Sequence, residues 1–434
     1  MNSENRPPSV VRYVVVGVTT LSAVLLYLDR YCLSFAARFI KDDLWLTDDQ
    51  VSLLLSAFFW TYGLGQVPAG WLGDRFGARV MLTAYILSWS LFTYLLGLTG
   101  AFAALLAFRF AFGLAQAGAY PVSASLLNQW MPLASRGRAS SVVALGGRVG
   151  GFLAPVLTAY LIPSVGWRGA MLLYGVVGVL VALSFWGIFR DRPDEHRWCN
   201  AAETAFINAG RLPGSASSRG AVGGVPWNAL LRSLSLWLNC VMQVGTNVGW
   251  VFIVTLLPRY LEEVHEVPTE LRGWMTGMPI FVGCFGMLFG GGLTDWLVGV
   301  VGLRRGRSLP VVGSRLVAMA AYLACLLPLS PWSMTVAFSV VALATDLGIP
   351  AVWAFQQDVG GRYVGSVLGW GNMWGNVGAA LSPLLLNWLV KHAGWDAAFL
   401  ACAAGFLLSG VAALGIDATK PIDDRDAEER APTL

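Results

Sequence analysis

Charge is what this 434-residue sequence has least of. Asp, Glu, Lys and Arg together make up 12% of it, about half the ~25% found in soluble domains. A chain in which 56% of the residues are hydrophobic is not intrinsically disordered. Its net charge of +4 is too small and too diffuse for a nucleic-acid-binding face. Histidine occurs three times, at His196, His265 and His392, each between apolar stretches. Neither a metal cluster nor histidine catalysis has a foothold there, and no cofactor is expected. The six cysteines, Cys32, Cys199, Cys240, Cys284, Cys325 and Cys402, are scattered without a CxxC pair. That spacing excludes a disulfide-stapled secreted fold, and most of the six fall in apolar stretches, as small buried hydrophobes do. Lysine is scarce as well: Lys41, Lys391 and Lys420 are the only three among 29 basic residues, a bias of genome composition rather than of function. No cleavable signal is expected, because the first apolar run is too long for the apolar centre of a signal peptide and lacks a small-residue cleavage site.

Long apolar runs are abundant, and mean hydropathy is +0.62. The runs fall at residues 12–40, 50–72, 80–99, 102–128, 139–161, 168–189, 233–261, 271–299, 309–329, 333–357, 362–390 and 395–416. A membrane-spanning helix needs ~20 apolar residues, so the pattern predicts an all-α integral membrane protein of twelve transmembrane helices. The expected organisation is an N-terminal six-helix bundle over 1–189, a cytoplasmic linker over 190–232, a C-terminal six-helix bundle over 233–416 and a charged cytoplasmic tail over 417–434. The linker is rich in Gly, Ser and Arg, a flexible composition. With the N-terminus in the cytoplasm, twenty of the 29 Lys and Arg lie in the tails and cytoplasmic loops, among them Arg75, Arg79, Arg304 and Arg315. Six lie on the opposite side. By the positive-inside rule both termini are cytoplasmic, in a multi-pass protein of the plasma membrane (the inner membrane of a bacterium).

The two halves carry a degenerate repeat. Gly70-Trp-Leu-Gly-Asp74-Arg75-Phe-Gly77-Ala-Arg79 ends helix 2, and Gly291-Gly-Leu-Thr-Asp295 ends helix 8. Aligning Asp74 with Asp295 also aligns Gly70 with Gly291 and Leu72 with Leu293. Duplicated six-helix halves are a transporter architecture. The first stretch resembles the helix 2–3 signature of the major facilitator superfamily, and Arg109-x-x-x-Gly113 resembles its second signature. Three further stretches resemble the anion:cation symporter family within it: Leu26-Tyr27-Leu-Asp29-Arg30, Phe59-Trp-Thr-Tyr62-Gly63 with Pro68-Ala-Gly70, and Trp130-Met-Pro132 with Arg136-Gly-Arg138. The resemblance implies two pseudo-symmetric six-helix bundles and carriage of organic acids such as hexuronates, aldonates and glucarate.

Charges inside the apolar runs are the sharpest signals. Arg30 lies deep in helix 1, where an arginine is costly. It either pairs with a buried acid or binds a substrate carboxylate bidentately; the resemblance implies the latter. Tyr27 lies three residues earlier on the same helix face, and Tyr62 matches a further family tyrosine. Each is a hydrogen-bond donor to substrate or an aromatic packing group. Asp29 points ~100° away from Arg30 around the helix and could meet Arg109 of helix 4. The resemblance gives Asp29 a proton role, against a permanent structural pair with Arg109. Gln116 departs from the family, many of whose proton-coupled members carry glutamate there. Arg148, among glycines in helix 5, is a second anion contact or a packing group. In the C-terminal half Gln243 and Asn247 are one helical turn apart and suited to reading hydroxyls. Trp353, Asn372 and Asn376 resemble family cavity positions. Asp346 is an acid in mid-helix 10, either a second proton site or a structural group. Asp74, Arg75, Arg79 and Asp295 are expected to gate the cytoplasmic side.

The expected function is a secondary active transporter for a small organic anion, a sugar acid or a related carboxylate or sulfonate, working by alternating access with H+ as the coupling ion. The expected partners are that anion and the lipid bilayer, with no nucleic acid, in a monomer. The alternatives are an organophosphate:phosphate antiporter and a transport-dead ligand sensor. No nucleophile–base pair or nucleotide-binding loop suggests an enzyme.

Overall fold

The computed structural model describes residues 7–132, 136–208, 227–360 and 364–422, and no strand occurs among them. The helices are α1 (Val11–Asp43), α2 (Asp48–Phe76), α3 (Ala78–Leu98), α4 (Phe102–Ala117), α5 (Ala119–Trp130), α6 (Arg136–Ile188), α7 (Ala201–Asn208), α8 (Trp227–Arg232), α9 (Leu234–Val251), α10 (Leu257–Glu263), α11 (Thr269–Ala324), α12 (Pro331–Gly360) and α13 (Val364–Leu414). A π-helical turn, Phe252–Leu256, joins α9 to α10. Among the described residues eight helical stretches are long and apolar enough to cross a membrane. Three of them are two-armed, and α2 is a further helix of 29 residues, which gives the twelve spans predicted from the sequence.

Glycine sets the sharp turns. The arms of α6, α11 and α13 meet at Gly166 (φ 71°), Gly302 (φ 81°) and Gly394 (φ 80°), and Gly77 between α2 and α3 has φ 89°. These are the positive-φ glycines among the described residues, in a backbone region costly for any residue with a Cβ. They form two repeat-related pairs. Gly166 and Gly394 are both followed by tryptophan, at Trp167 and Trp395, and Gly77 and Gly302 each open the helix after a repeated Asp. Gly302 also corrects the sequence reading: the helix restarts at 303 rather than 309, so Arg315 stands well inside it and is only 2% exposed.

The chain divides into two compact units. The first comprises Met1–Leu33, Leu64–Ala154 and Leu161–Ala221; the second comprises Ser34–Gly63, Pro155–Tyr160 and Val222–Leu434. In the first, glycines let α6 lie against α1. A Cβ at Gly147 would sit 2.6 Å from the Tyr27 ring, and one at Gly150 would collide with the Val24 carbonyl. In the second, Phe252, Tyr260, Tyr322, Phe338, Phe399 and Phe406 form an aromatic core. Outward-facing Leu, Val and Phe side chains such as Leu180, Phe289 and Val336 remain exposed, as lipid-facing surface requires.

The stretch expected as a flexible linker holds structure. Glu203 on α7 is fully buried and accepts from the Val11 and Arg12 amides at 3.2 and 3.1 Å, from the Arg12 guanidinium at 3.2 Å and from the Ser9 hydroxyl. An acid from the linker thus caps α1, where free N–H groups and the helix dipole favour negative charge. Residues 209–226 of the predicted linker, and the tail beyond 422, lie outside the described residues.

Candidate functional site

In the first unit the site is built on α1, α4 and α3. Arg30 is 6% exposed, and its Nε donates to Gln116 Oε1 at 3.2 Å. Gln116 Nε2 in turn donates to the Leu26 carbonyl at 3.0 Å. The carboxamide therefore orients the guanidinium without neutralising it. The same guanidinium lies 4.7 Å over the Tyr27 ring, and Tyr27 packs edge-on against Tyr31 and Tyr120 at 5.6 and 6.3 Å. Arg109, 2% exposed, donates to the Arg30 carbonyl at 3.3 Å and lies 5.0 Å over Phe112.

Asp29 is 2% exposed, and neither carboxylate oxygen reaches a hydrogen-bond partner; the donor beside it is the Trp89 indole of α3. The expected meeting of Asp29 with Arg109 does not form as an ion pair, nor does one form with Arg30. A carboxylate buried without an ion-pair partner is costly. Arg148 on α6 is half-buried within the glycine-rich seam.

The candidate residues of the second unit are mostly neutral groups. Tyr62 is buried and stacks on Phe58 at 5.2 Å, and the neighbouring Gly63 lies against Asn376. Gln243 and Asn247 follow one another on one face of α9, both half-buried, with Asn247 Nδ2 donating to the Gln243 carbonyl at 2.9 Å. Asn376 Nδ2 donates to the Asn372 carbonyl at 2.8 Å; Asn372 and Trp353 are exposed. Asp346 is fully buried on α12 and lies within electrostatic range of Arg315. Arg315 donates to the Thr345 carbonyl at 3.1 Å.

The sequence matches the Major Facilitator Superfamily over residues 19–383. The chain belongs to that superfamily. It is 29% identical over 425 residues to the probable sulfoacetate transporter SauU of Cupriavidus necator, covering 96% of both chains. It is 28% identical over 402 residues to the probable galactarate/D-glucarate transporter GudP of Bacillus subtilis, covering 88% of this chain and 87% of the relative. Among solved structures it shares its fold with a bacterial homologue of the human lysosomal transporter Spinster in an inward-facing, occupied conformation. The TM-score is 0.71 at 19% identity, covering 93% of this chain and 95% of that one. Like the rest of the superfamily it is a membrane transporter and not an enzyme.

The major facilitator signature residues are anchored within each unit. Arg79 donates to the Trp186 carbonyl at 2.9 and 3.2 Å, and its amide donates to Asp191 at 2.9 Å. Arg75 lies 5.2 Å over Trp71. The side chain of Asp74 lies outside the described residues. In the repeat, Arg307 joins Asp358 at 2.8 Å and Asp295 at 3.6 Å. At the other end of the second unit, Asp48 meets Lys41 at 2.6 Å and Arg259 at 3.2 Å, and Asp49 meets Lys391 at 2.8 Å. The sequence reading missed this last network, whose residues sit at the edges of apolar runs and look like ordinary loop charges.

Proposed function

We propose that this carrier moves a small organic anion across the membrane by alternating access, in symport with protons. The observation that carries the reading is Arg30, a buried guanidinium bonded to a neutral carboxamide and lying over a tyrosine ring, deep in a membrane span. Arg30 binds the carboxylate, Tyr27 and Tyr62 donate to it, and Arg148 adds positive potential. Gln243, Asn247, Trp353, Asn372 and Asn376 contact the rest of the molecule. The relatives named for sulfoacetate and for galactarate and D-glucarate support an anion of this class. Asp29 carries the coupling proton, with Arg109 setting the local field; Asp346 is the corresponding acid of the second unit. Asp74, Arg75, Arg79 and Asp295 gate the cytoplasmic side.

Proteoliposome transport separates binding from coupling. Asp29→Asn fixes the uncharged form, so it is expected to lose accumulation driven by an imposed pH difference while keeping substrate counterflow. Arg30→Ala is expected to lose both. Uphill accumulation by Asp29→Asn would remove Asp29 as the coupling group, and undiminished uptake by Arg30→Ala would remove the anion site.

A further inference from the structure

Two amides in the second unit have no role in the contacts assigned so far. Asn239 on α9 is fully buried, and neither its Oδ1 nor its Nδ2 has a hydrogen-bond partner. Gln356 on α12 is 1% exposed, and its Nε2 has none. Both converge on Gly371 of α13. A Cβ there would lie 2.5 Å from Asn239 Nδ2 and 2.5 Å from Gln356 Nε2, and 3.6 Å from Gln243 Nε2. The absent side chain at 371 is what leaves the amides room. Asn239, Gln243 and Asn247 are spaced four apart and so share one face of α9.

Buried polar groups are nearly always paired, and those that are not point to a function. The chemistry of the missing partner follows from what is unmet. Asn239 lacks both a donor for its oxygen and an acceptor for its nitrogen. An ionised carboxylate or sulfonate offers acceptors only, whereas a hydroxyl both donates and accepts. We propose that Asn239 and Gln356, over Gly371, form a subsite for the hydroxyl groups of a polyhydroxylated acid, so that the carrier selects sugar acids over anions without hydroxyls, sulfoacetate included. The inference rests on the organic-anion reading and sharpens it. In the state described the pair is buried, and the half-buried Gln243 lies beside it on the same face of α9.

The test is calorimetric binding to the full-length protein in lipid nanodiscs. The ligands are D-glucarate, galactarate and D-glucuronate against sulfoacetate and adipate, the last a six-carbon diacid without hydroxyls. At least one hydroxylated acid is expected to bind roughly tenfold or more tighter than adipate and sulfoacetate, because a site built to bond a hydroxyl rejects analogues lacking it. Asn239→Leu and Gln356→Met are each expected to erase most of that preference while leaving adipate binding unchanged. Retained adipate binding also reports that the variants are folded. The proposal is overturned if wild-type protein binds adipate or sulfoacetate as tightly as every hydroxylated acid, or if either folded variant keeps the full preference. Sulfoacetate binding that depends on Arg30 without any hydroxyl preference would leave the carrier reading standing and remove this one alone. Binding of none of the five, or undiminished binding by Arg30→Ala, would overturn the anion site itself.

Discussion

A carboxamide at position 116 holds Arg30 Nε at 3.2 Å and carries no charge. A glutamate there would bring a titratable anion to the same distance, and that anion would compete with a substrate carboxylate for the guanidinium. Gln116→Glu is therefore expected to weaken anion binding at pH 7.5 by about tenfold, the worth of one charge-assisted bond, and to restore part of it at pH 5. Equal affinity of variant and wild type at both pH values would show that Gln116 does not face the bound anion. Arg30 and Asp29 were legible in the sequence because charges stand out in an apolar run. Arg315 was not, because it follows the basic residues Arg304, Arg305 and Arg307 closely enough to pass for one of them. Asn239 and Gln356 were invisible for another reason. A neutral amide is unremarkable in a membrane helix, and the partner that gives these two meaning is a glycine on a different helix.

At the scale of the element, the helix count followed from apolar length, since a bilayer leaves no other home for so many runs of ~20 residues. The joints did not follow, because a single glycine at positive φ turns the chain without interrupting hydrophobicity. Glycine inside the helices has two distinct uses. A Cβ at Gly150 would run into the backbone carbonyl of Val24, which has nowhere to go, while one at Gly292 on α11 meets nothing within 4 Å. Gly150→Ala is expected to destabilise the first unit by about 1–3 kcal/mol through overpacking. Gly292→Ala is expected to be neutral or to gain up to about 1 kcal/mol from helix propensity. Thermal unfolding of the two variants, in the same lipid, checks the contrast; equal shifts would mean that the α1–α6 seam yields.

For the whole molecule, acid sensitivity follows from the charge networks at the ends of the spans. Burial works to raise the Asp48 carboxyl, but the bond from Lys41 and the charges of Arg259, Lys41 and Lys391 outweigh it and hold it below its usual range. Asp417 behaves alike: burial opposes ionisation, and the bonds from Thr419 with the charges of Arg304 and Lys420 prevail. Groups lowered in the folded state give stability that is whole above about pH 4 and lost as pH falls below it. Asp48→Asn and Asp417→Asn are each expected to lower the unfolding temperature at pH 7 and to flatten its fall between pH 4 and pH 3; an unchanged slope would show that these bonds do not contribute. The capping of α1 by Glu203 reaches further, into the order of biosynthesis. The acid lies 192 residues beyond the Val11 amide it satisfies, and translation at about 5–20 residues per second puts about 10–40 s between them. α1 therefore waits, its amino end open to water, until the five spans that follow it ahead of Glu203 have been made. Closure of that contact is a molecular timestamp: it marks the moment at which half of the protein has been made and has found its place.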